Sequence, residues 1–201
     1  IIKNFIYKNI FTNKSRENLS KNFNKVFEDV TKDISRPTKT LNVLSQDFTL
    51  NFNLRDLKKF KKFKNIAIIG MGGSILGSEA IYSFLEKKIK KKISFFNDLN
   101  IKKILEFKKK KILEKTLIFV ISKSGNTIET LSNTFVLNIV KKNSKNVILI
   151  SEKKNNLLFN LSKKMNLFYI EHKSYIGGRY SVLSEVGLIP AYLMGVNIFK
   201  L

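Results

Sequence analysis

Residues 66–77 read Ile-Ala-Ile-Ile-Gly-Met-Gly-Gly-Ser-Ile-Leu-Gly, and this stretch decides the fold of the chain. An apolar run that stops at a glycine-rich turn and then opens a helical pattern is typical of a buried parallel strand leading into a ligand-binding loop. Glycine lets the backbone turn sharply and approach a ligand closely, and the free N–H groups at a helix start favour an anion. The stretch therefore predicts a phosphate site, although such turns also occur for purely steric reasons.

The same alternation of apolar strands and helices continues along the chain. Helices are expected over 76–87, over 101–110, from the residue after Thr127 to about Lys142 and over 156–165. The strands are expected at 66–69, 93–96, 117–121, 147–150 and 167–170. This order predicts an α/β fold with a doubly wound, mostly parallel five-stranded sheet and flanking helices.

N-terminal helices are predicted ahead of this core. An amphipathic helix is expected over 15–34, before Pro37, and a short basic helix over about 54–63. The apolar positions with helical spacing in the first helix are Leu19, Phe23, Val26, Phe27 and Val30. We expect residues 1–64 to be a helical segment that packs on a domain formed by residues 65–201.

The chain of 201 residues carries a formal net charge of +23, which raises the question of a nucleic-acid partner. Arg occurs at four positions only, so Lys supplies nearly all of the 38 basic residues. Base readout and bidentate phosphate contacts favour Arg, whereas a chain rich in Lys, Asn, Ile and Phe is expected from AT-rich coding. We therefore predict no specific nucleic-acid partner.

Cysteine content and hydropathy point to a cytoplasmic protein. The chain has no Cys, which excludes disulfides and thiolate catalysis and fits a reducing compartment. No apolar run is long enough to cross a bilayer, and the first residues lack a signal-peptide pattern. We expect a soluble, cytoplasmic protein without a membrane partner.

A second candidate loop follows the predicted strand 117–121. Its sequence, Ser-Lys-Ser-Gly-Asn-Thr at 122–127, concentrates three hydroxyls and several backbone N–H groups at the start of a helix. Many donors beside a helix N-terminus suit a phosphate monoester. A capping box formed by Asn126 and Glu129 would explain part of the segment by helix initiation alone. The loop lacks the P-loop ending, and residues 70–73 lack the third glycine of a dinucleotide fingerprint.

The third candidate stretch is Gly177-Gly178-Arg179 and the residues after it. A glycine pair lets the backbone bring a guanidinium close to a ligand, and Arg is rare in this chain. A surface salt bridge would explain Arg179 equally well. The loops after strands 66–69 and 117–121 are expected at one edge of the sheet, because ligands of such folds bind outside the carboxyl ends of the strands.

Together the three stretches resemble successive signatures of the glucose-6-phosphate isomerase family. The matching segments are Gly-Met-Gly-Gly-Ser-Ile-Leu-Gly at 70–77, Ser-Lys-Ser-Gly-Asn-Thr-Ile-Glu-Thr at 122–130 and Gly-Gly-Arg-Tyr-Ser-Val-Leu-Ser-Glu-Val-Gly-Leu at 177–188. The resemblance implies that residues 65–201 are a sugar-isomerase (SIS) domain that binds a sugar phosphate. It also implies an enzyme of glycolysis and gluconeogenesis that interconverts glucose 6-phosphate and fructose 6-phosphate without metal or organic cofactor.

The resemblance also implies roles for individual residues. Arg179 would be the catalytic cation that stabilises the enediolate intermediate. Lys123 would contribute mainly its backbone N–H, Ser74 would assist the phosphate, and Glu129 would have a supporting role. The hydroxyls of the loop would hold the phosphate, and two glycines would leave room for the sugar. The implied substrate-binding residues are Gly73, Ser74, Ser122, Lys123, Ser124, Thr127, Glu129 and Gly178.

Some parts of the family pattern differ or lie elsewhere. Ile75 stands where many relatives have Asp, and Asn126 replaces a common Thr, which leaves open a relative that also acts on mannose 6-phosphate. The family's catalytic glutamate lies in a later motif, and we expect the second SIS domain of the family to be absent from this chain. We therefore expect this chain to be an inactive N-terminal part of a homodimeric enzyme, with a non-catalytic sugar-phosphate-binding module as the alternative. His172 is outside the family's histidine motif, and we do not expect it to be catalytic.

Overall fold

The computed structural model describes residues 13–109 and 112–201 of the chain. Its single described sheet has the strand order β2-β1-β3-β4-β5, and all four strand pairs are parallel. The strands are β1 (Asn65–Ile69), β2 (Lys92–Phe96), β3 (Thr116–Ile121), β4 (Val147–Ser151) and β5 (Phe168–Glu171). Each predicted strand agrees with an observed one to within one residue at either end, so the predicted α/β fold is confirmed.

Seven helices accompany the sheet in the described ranges. They are α1 (Asn13–Ser35), α2 (Leu54–Leu57), α3 (Leu76–Leu85), α4 (Ile101–Lys109), α5 (Ile128–Leu137), α6 (Leu157–Met165) and α7 (Glu185–Met194). None of them is long and apolar enough to cross a membrane. Residues 1–12 and Lys110, which the predictions included, lie outside the described residues.

Three predicted helices are longer than the observed ones. Helix α5 was predicted to reach about Lys142 but ends at Leu137, because Asn138 adopts a left-handed conformation with φ 52° and its N–H bonds to the carbonyl of Phe135. This is a common way to end a helix. Helix α3 gives way to a 3-10 turn at Glu86–Lys88, and α2 does so at Lys58–Phe60.

The sheet is covered by helices on both faces, as a doubly wound fold requires. Residues Ile66 and Ile68 of β1 point to one face, where they join a buried cluster with residues of α7 and α2. Residues Ala67 and Ile69 point to the other face, where side chains of α4, α5 and α6 cover them. Strand β3 lies in the centre and is buried along its whole length, which explains its uninterrupted apolar sequence.

The N-terminal segment is only partly buried by this core. Leu57 and Phe60 belong to the main core cluster. Helix α1 includes the helix predicted over 15–34. The side-chain amide of Asn42 donates to the carbonyl of Ile34, near the end of this helix, over 2.8 Å. The apolar stripe of α1 stays 36–66% exposed within the described structure, at Leu19, Phe23, Val26, Phe27 and Val30. The division of the chain at residue 64 stays a prediction.

Candidate functional site

The two predicted loops lie side by side at the carboxyl edge of the sheet. Strands β1 and β3 are neighbours, with Ile69 in register with Val120, so the loops that follow them start next to each other. Gly70 lies against the end of β3, because a Cβ added to it would be 3.0 Å from the carbonyl oxygen of Ile121. The expectation of one crevice at this edge rests on this strand order.

Three hydroxyls of residues 122–127, which we call the hydroxyl loop, form a compact triangle. The oxygens of Ser122 and Thr127 are 2.8 Å apart, and Ser124 Oγ lies 3.4 Å from each of them. Ser122 is buried at the base of the triangle, Thr127 is half-buried, and Ser124 is exposed. A hydroxyl both donates and accepts, so the triangle can turn its protons toward an anion placed on its exposed side.

Backbone N–H groups surround the same triangle. Gly125, with φ +70°, donates to the carbonyl and hydroxyl oxygens of Ser122 over 3.0 and 3.1 Å. The N–H groups of Lys123, Ser124 and Thr127 have no acceptor among the residues that the structure describes. Helix α5 begins directly after the loop, so the positive end of its dipole also faces this place. The loop therefore offers a cluster of donors that fits a phosphate group.

The alternative explanation of this segment by a capping box is wrong. The residue that precedes α5 is Thr127, and its side chain makes no capping hydrogen bond. Asn126 instead accepts a 2.9 Å hydrogen bond from the backbone N–H of Leu157, in the neighbouring helix α6. Glu129 is half-buried in the first turn of α5 and has no ion pair with any described residue. The Thr127 hydroxyl therefore does not cap the helix and bonds to Ser122 instead.

The ammonium of Lys123 forms an ion pair with a carboxylate outside the hydroxyl loop. It lies 3.6 Å from the Glu152 carboxylate, which Lys154 also contacts. Because Glu152 is largely buried and Lys123 is about one-third exposed, the pair fixes the direction of the lysine more than it stabilises the fold. The role of the Lys123 backbone N–H in binding the ligand stays a prediction.

The third predicted stretch, which starts at Gly177, packs on the glycine-rich loop that follows β1 at residues 70–74. Gly73 and Gly178 touch backbone to backbone, since a Cβ on Gly73 would be 2.3 Å from the carbonyl group of Gly178. Ser181 joins the two segments by its hydroxyl, which lies 2.7 Å from the Gly178 carbonyl and 3.1 Å from the Gly73 carbonyl. Sequence reasoning missed Ser181, although its place two residues after Arg179 was a usable signal.

Arg179 and Ser74 directly follow the two glycines of this contact in the sequence. Arg179 is exposed in the 3-10 turn Gly178–Tyr180 and forms no ion pair with any described residue, so the alternative of a surface salt bridge is not observed. Ser74 ends the 3-10 turn Gly72–Ser74 and is half-buried. Neither side chain is fully buried, and both residues adjoin the contact between the two segments.

Two residues discussed in the sequence analysis, Ile75 and His172, are buried. The side chain of Ile75 is fully buried in the main core cluster, so its difference from the family pattern puts no apolar group into the crevice. His172 is also buried, and burial together with the charge of Lys123 lowers its pKa to about 4. Its Nδ1 has no partner among the described residues. A buried imidazole that stays neutral near pH 7 is poorly placed for proton transfer with a ligand.

No group of three or more His, Asp or Glu side chains within the two described ranges is arranged to hold a metal ion. The candidate site is therefore built from hydroxyls, backbone N–H groups and one exposed guanidinium.

The chain is similar in sequence to known isomerases. The family model for phosphoglucose isomerase matches residues 16–201. A probable glucose-6-phosphate isomerase of Methanococcus maripaludis is 38% identical over 171 residues, which cover 80% of this chain and 38% of that protein. The glucose-6-phosphate isomerase of Methanocaldococcus jannaschii is 35% identical and covers 78% of this chain and 39% of its own length. The chain thus spans about two-fifths of these curated relatives.

Solved structures share the fold. The hypothetical protein TT0462 of Thermus thermophilus superimposes with a TM-score of 0.70 at 23% identity, over 91% of this chain and 47% of its own. A glucose-6-phosphate isomerase of Chlamydia trachomatis superimposes with a TM-score of 0.60 at 26% identity, over 69% of this chain and 28% of its own. The family model covers most of the chain, including all three stretches at the carboxyl edge, and the chain belongs to the phosphoglucose isomerase family.

Proposed function

We propose that the whole protein interconverts glucose 6-phosphate and fructose 6-phosphate, and that this chain binds the phosphate group of the substrate. The observation that carries the proposal is the hydroxyl triangle of Ser122, Ser124 and Thr127, beside the unpaired N–H groups of the same loop in the described structure. A phosphate dianion needs several convergent donors, and a loop at a helix N-terminus supplies them. The relatives' names give the substrate class.

The proposed chemistry moves one proton between C1 and C2 of the open-chain sugar. Removing that proton leaves an enediolate whose negative charge rests on oxygen, and a preorganised cation lowers the energy of such an oxyanion. We assign this role to Arg179, which is exposed beside the glycine contact and free of ion pairs among the described residues. The proton needs a positioned base, which we place in a glutamate outside this chain.

The remaining assignments follow from the same proposal. Ser74 and the Lys123 N–H assist the phosphate, Gly73 and Gly178 border the sugar, and Glu129 supports the loop. We further propose that the protein acts in glycolysis and gluconeogenesis, in the cytoplasm and as a homodimer. Its small-molecule partner would be the sugar phosphate. The chain by itself would bind substrate without turning it over.

The phosphate assignment is tested by titrating fructose 6-phosphate into the wild-type chain and the Ser122→Ala/Thr127→Ala variant, with calorimetric detection. We expect the variant to bind at least about tenfold more weakly, because two hydroxyl donors are lost. Ser144→Ala is a matched control, since its hydroxyl only bonds to the Lys141 carbonyl, remote from the hydroxyl loop in sequence. Equal affinities of wild type and double variant would refute the assignment.

The role of Arg179 is tested in the full-length enzyme. Arg179→Ala should lower kcat by about a hundredfold or more while it changes KM little, as expected for a group that acts mainly on the transition state. Arg179→Lys keeps the charge but not the planar guanidinium, and we expect only partial recovery. An unchanged kcat in Arg179→Ala would remove this residue from the mechanism.

A further inference from the structure

The hydroxyl loop is held from one side by the segment that joins β4 to α6. Two backbone N–H groups of the first turn of α6 bond to it: Leu157 donates to the Asn126 side chain over 2.9 Å, and Leu158 donates to the Gly125 carbonyl over 3.2 Å. At the other end of the segment the N–H of Glu152 donates to the Lys123 carbonyl over 3.0 Å. These bonds lie on the side of the loop backbone that faces α6.

Asn156 fills the space directly against the loop. A Cβ added to Gly125 would be 1.9 Å from Asn156 Oδ1, so the amide group occupies the place where a side chain would otherwise lie. Asn156 is only 3% exposed. Its Oδ1 accepts from the N–H of Phe159 over 2.9 Å, and its Nδ2 donates to the Glu152 carbonyl over 2.8 Å. One buried side chain thus caps α6, closes the segment before it and packs on the loop.

The first turn of α6 is therefore occupied by the protein itself. The N–H groups of Leu157, Leu158 and Phe159 are bonded to Asn126, to the Gly125 carbonyl and to Asn156. A free helix N-terminus would attract an anion, but here the donors fix the loop that carries the hydroxyl triangle. The free N–H groups remain in the loop.

We propose that Asn156 and Asn126 are positioning residues for the phosphate site, which hold the hydroxyl loop in its binding conformation before a ligand arrives. The proposal rests on the proposed function, because it assumes that the loop binds a phosphate ester. A loop that is ordered in advance loses less conformational freedom on binding, so removing its supports should weaken binding without removing any ligand contact. Neither side chain belongs to the triangle.

Asn156 is tested by separating its capping role from its packing role. Ser is a good helix N-cap, so Asn156→Ser keeps the cap of α6 but leaves the space against Gly125 empty. We expect a thermal midpoint close to that of wild type, faster hydrogen exchange of the Gly125 and Asn126 amides, and about three- to tenfold weaker binding of fructose 6-phosphate. Asn156→Ala should add a clear loss of thermal stability.

Asn126 is tested by a loss and a rescue. Asn126→Ala removes the acceptor of the Leu157 N–H, whereas Asn126→Asp keeps an acceptor in the same place. We expect amide exchange of the loop to accelerate in the alanine variant and to return toward wild type in the aspartate variant. A purely structural loss of stability would raise exchange across the whole domain in both variants.

Asn160→Ala is the matched control, since Asn160 is exposed on the same helix and bonds only to the Asn155 side chain. It should leave loop exchange and affinity unchanged. If the Asn156→Ser and Asn126→Ala variants keep wild-type amide exchange and wild-type affinity, the positioning proposal is overturned while the proposed function stands. If the wild-type chain binds no sugar phosphate but loop exchange rises in both variants, the proposed function fails and the positioning of a phosphate site fails with it, although the two asparagines are then shown to order the loop.

Discussion

Ser122 and Thr127 share a hydrogen bond of 2.8 Å between their hydroxyl oxygens, across a loop that leaves β3 and enters α5. The bond joins a buried hydroxyl at the end of the central strand to a half-buried one at the start of the helix. The two hydroxyls that we propose to bind the ligand therefore also join the two ends of the loop, so the shape of the loop depends on them.

Replacing Thr127 by Val removes the hydroxyl while it keeps the shape of the side chain. We expect fructose 6-phosphate to bind about tenfold more weakly, because one donor to the phosphate and the support of Ser122 are both lost. Thr127→Ser keeps the hydroxyl and should bind like wild type. Thr134→Val is the control, since that hydroxyl bonds to the Thr130 carbonyl within α5. Calorimetry measures the affinity of each variant for fructose 6-phosphate. Wild-type affinity in Thr127→Val would contradict the assignment of the Thr127 hydroxyl to the phosphate.

The contact between Gly73 and Gly178 is asymmetric, which allows a test in a single pair of variants. Alanine at Gly73 would place its Cβ 2.3 Å from the backbone of Gly178, whereas alanine at Gly178 would meet the Cα of Gly73 at 3.7 Å, an ordinary contact. We expect Gly73→Ala to destabilise the fold by about 2–3 kcal/mol, since two backbone segments must move apart.

Thermal unfolding of the two variants measures this difference. Gly73→Ala should lower the midpoint by about 5–10 °C, as expected for a domain of this size, and Gly178→Ala should change it little. Equal midpoints for the two variants would show that the segments do not touch as described.

The sheet was predictable because its strands are uninterrupted apolar runs between turn signals. β3 and β4 are buried on both faces, so their sequences carry no alternation, and every strand bound could be placed to within one residue. The end of α5 was not predictable in the same way, because the apolar pattern continues past Leu137. A single left-handed residue, Asn138, stops the helix, and Asn in a helical pattern is a weak signal.

The part of the candidate site that could be predicted from the sequence is the one whose functional groups all lie in a single short segment. Three hydroxyls within six residues predict a phosphate-binding loop without any knowledge of its neighbours. The supports of the loops come from elsewhere in the chain. Asn156 and Leu157, which contact the hydroxyl loop, are about 30 residues away from it, and Ser181, which bonds to Gly73 of the glycine-rich loop, is more than 100 residues away from Gly73. Spacing in one sequence does not reveal such contacts, which depend on the strand order and on how α6 starts.

The buried His172 predicts a loss of stability in acid. Burial and the charge of Lys123 lower its pKa to about 4, below the ordinary value of 6.5, so the unfolded chain binds this proton more readily than the folded one. The stability that His172 contributes as a neutral group is present above pH 6.5 and declines as the pH falls toward 4. Between pH 7 and pH 4.5 the free energy of unfolding should fall by about 2 kcal/mol on account of this group.

Urea unfolding of wild type and His172→Gln at the two pH values isolates this contribution. The variant lacks the titrating group, so its free energy of unfolding should fall by about 2 kcal/mol less than that of wild type over the same interval. The two proteins differ at this position alone, so the difference between their two falls reports this group. An identical fall in both proteins would show that His172 is not buried as a neutral imidazole.

Glu185 predicts the opposite dependence. Its carboxylate is fully buried at the start of α7, where Oε1 accepts from the Asn51 N–H over 2.9 Å and Oε2 has no partner among the described residues. Burial raises its pKa, so the folded state favours the protonated form. The stability that it contributes is complete below its unfolded pKa and is lost as the pH rises through its folded pKa.

Glu185→Gln keeps an acceptor for the Asn51 N–H and has no charge to bury. Its free energy of unfolding relative to wild type should therefore increase from pH 4 to pH 8 in urea unfolding measurements. A flat difference for Glu185→Gln over this pH range would mean that the carboxylate reaches water in the folded protein.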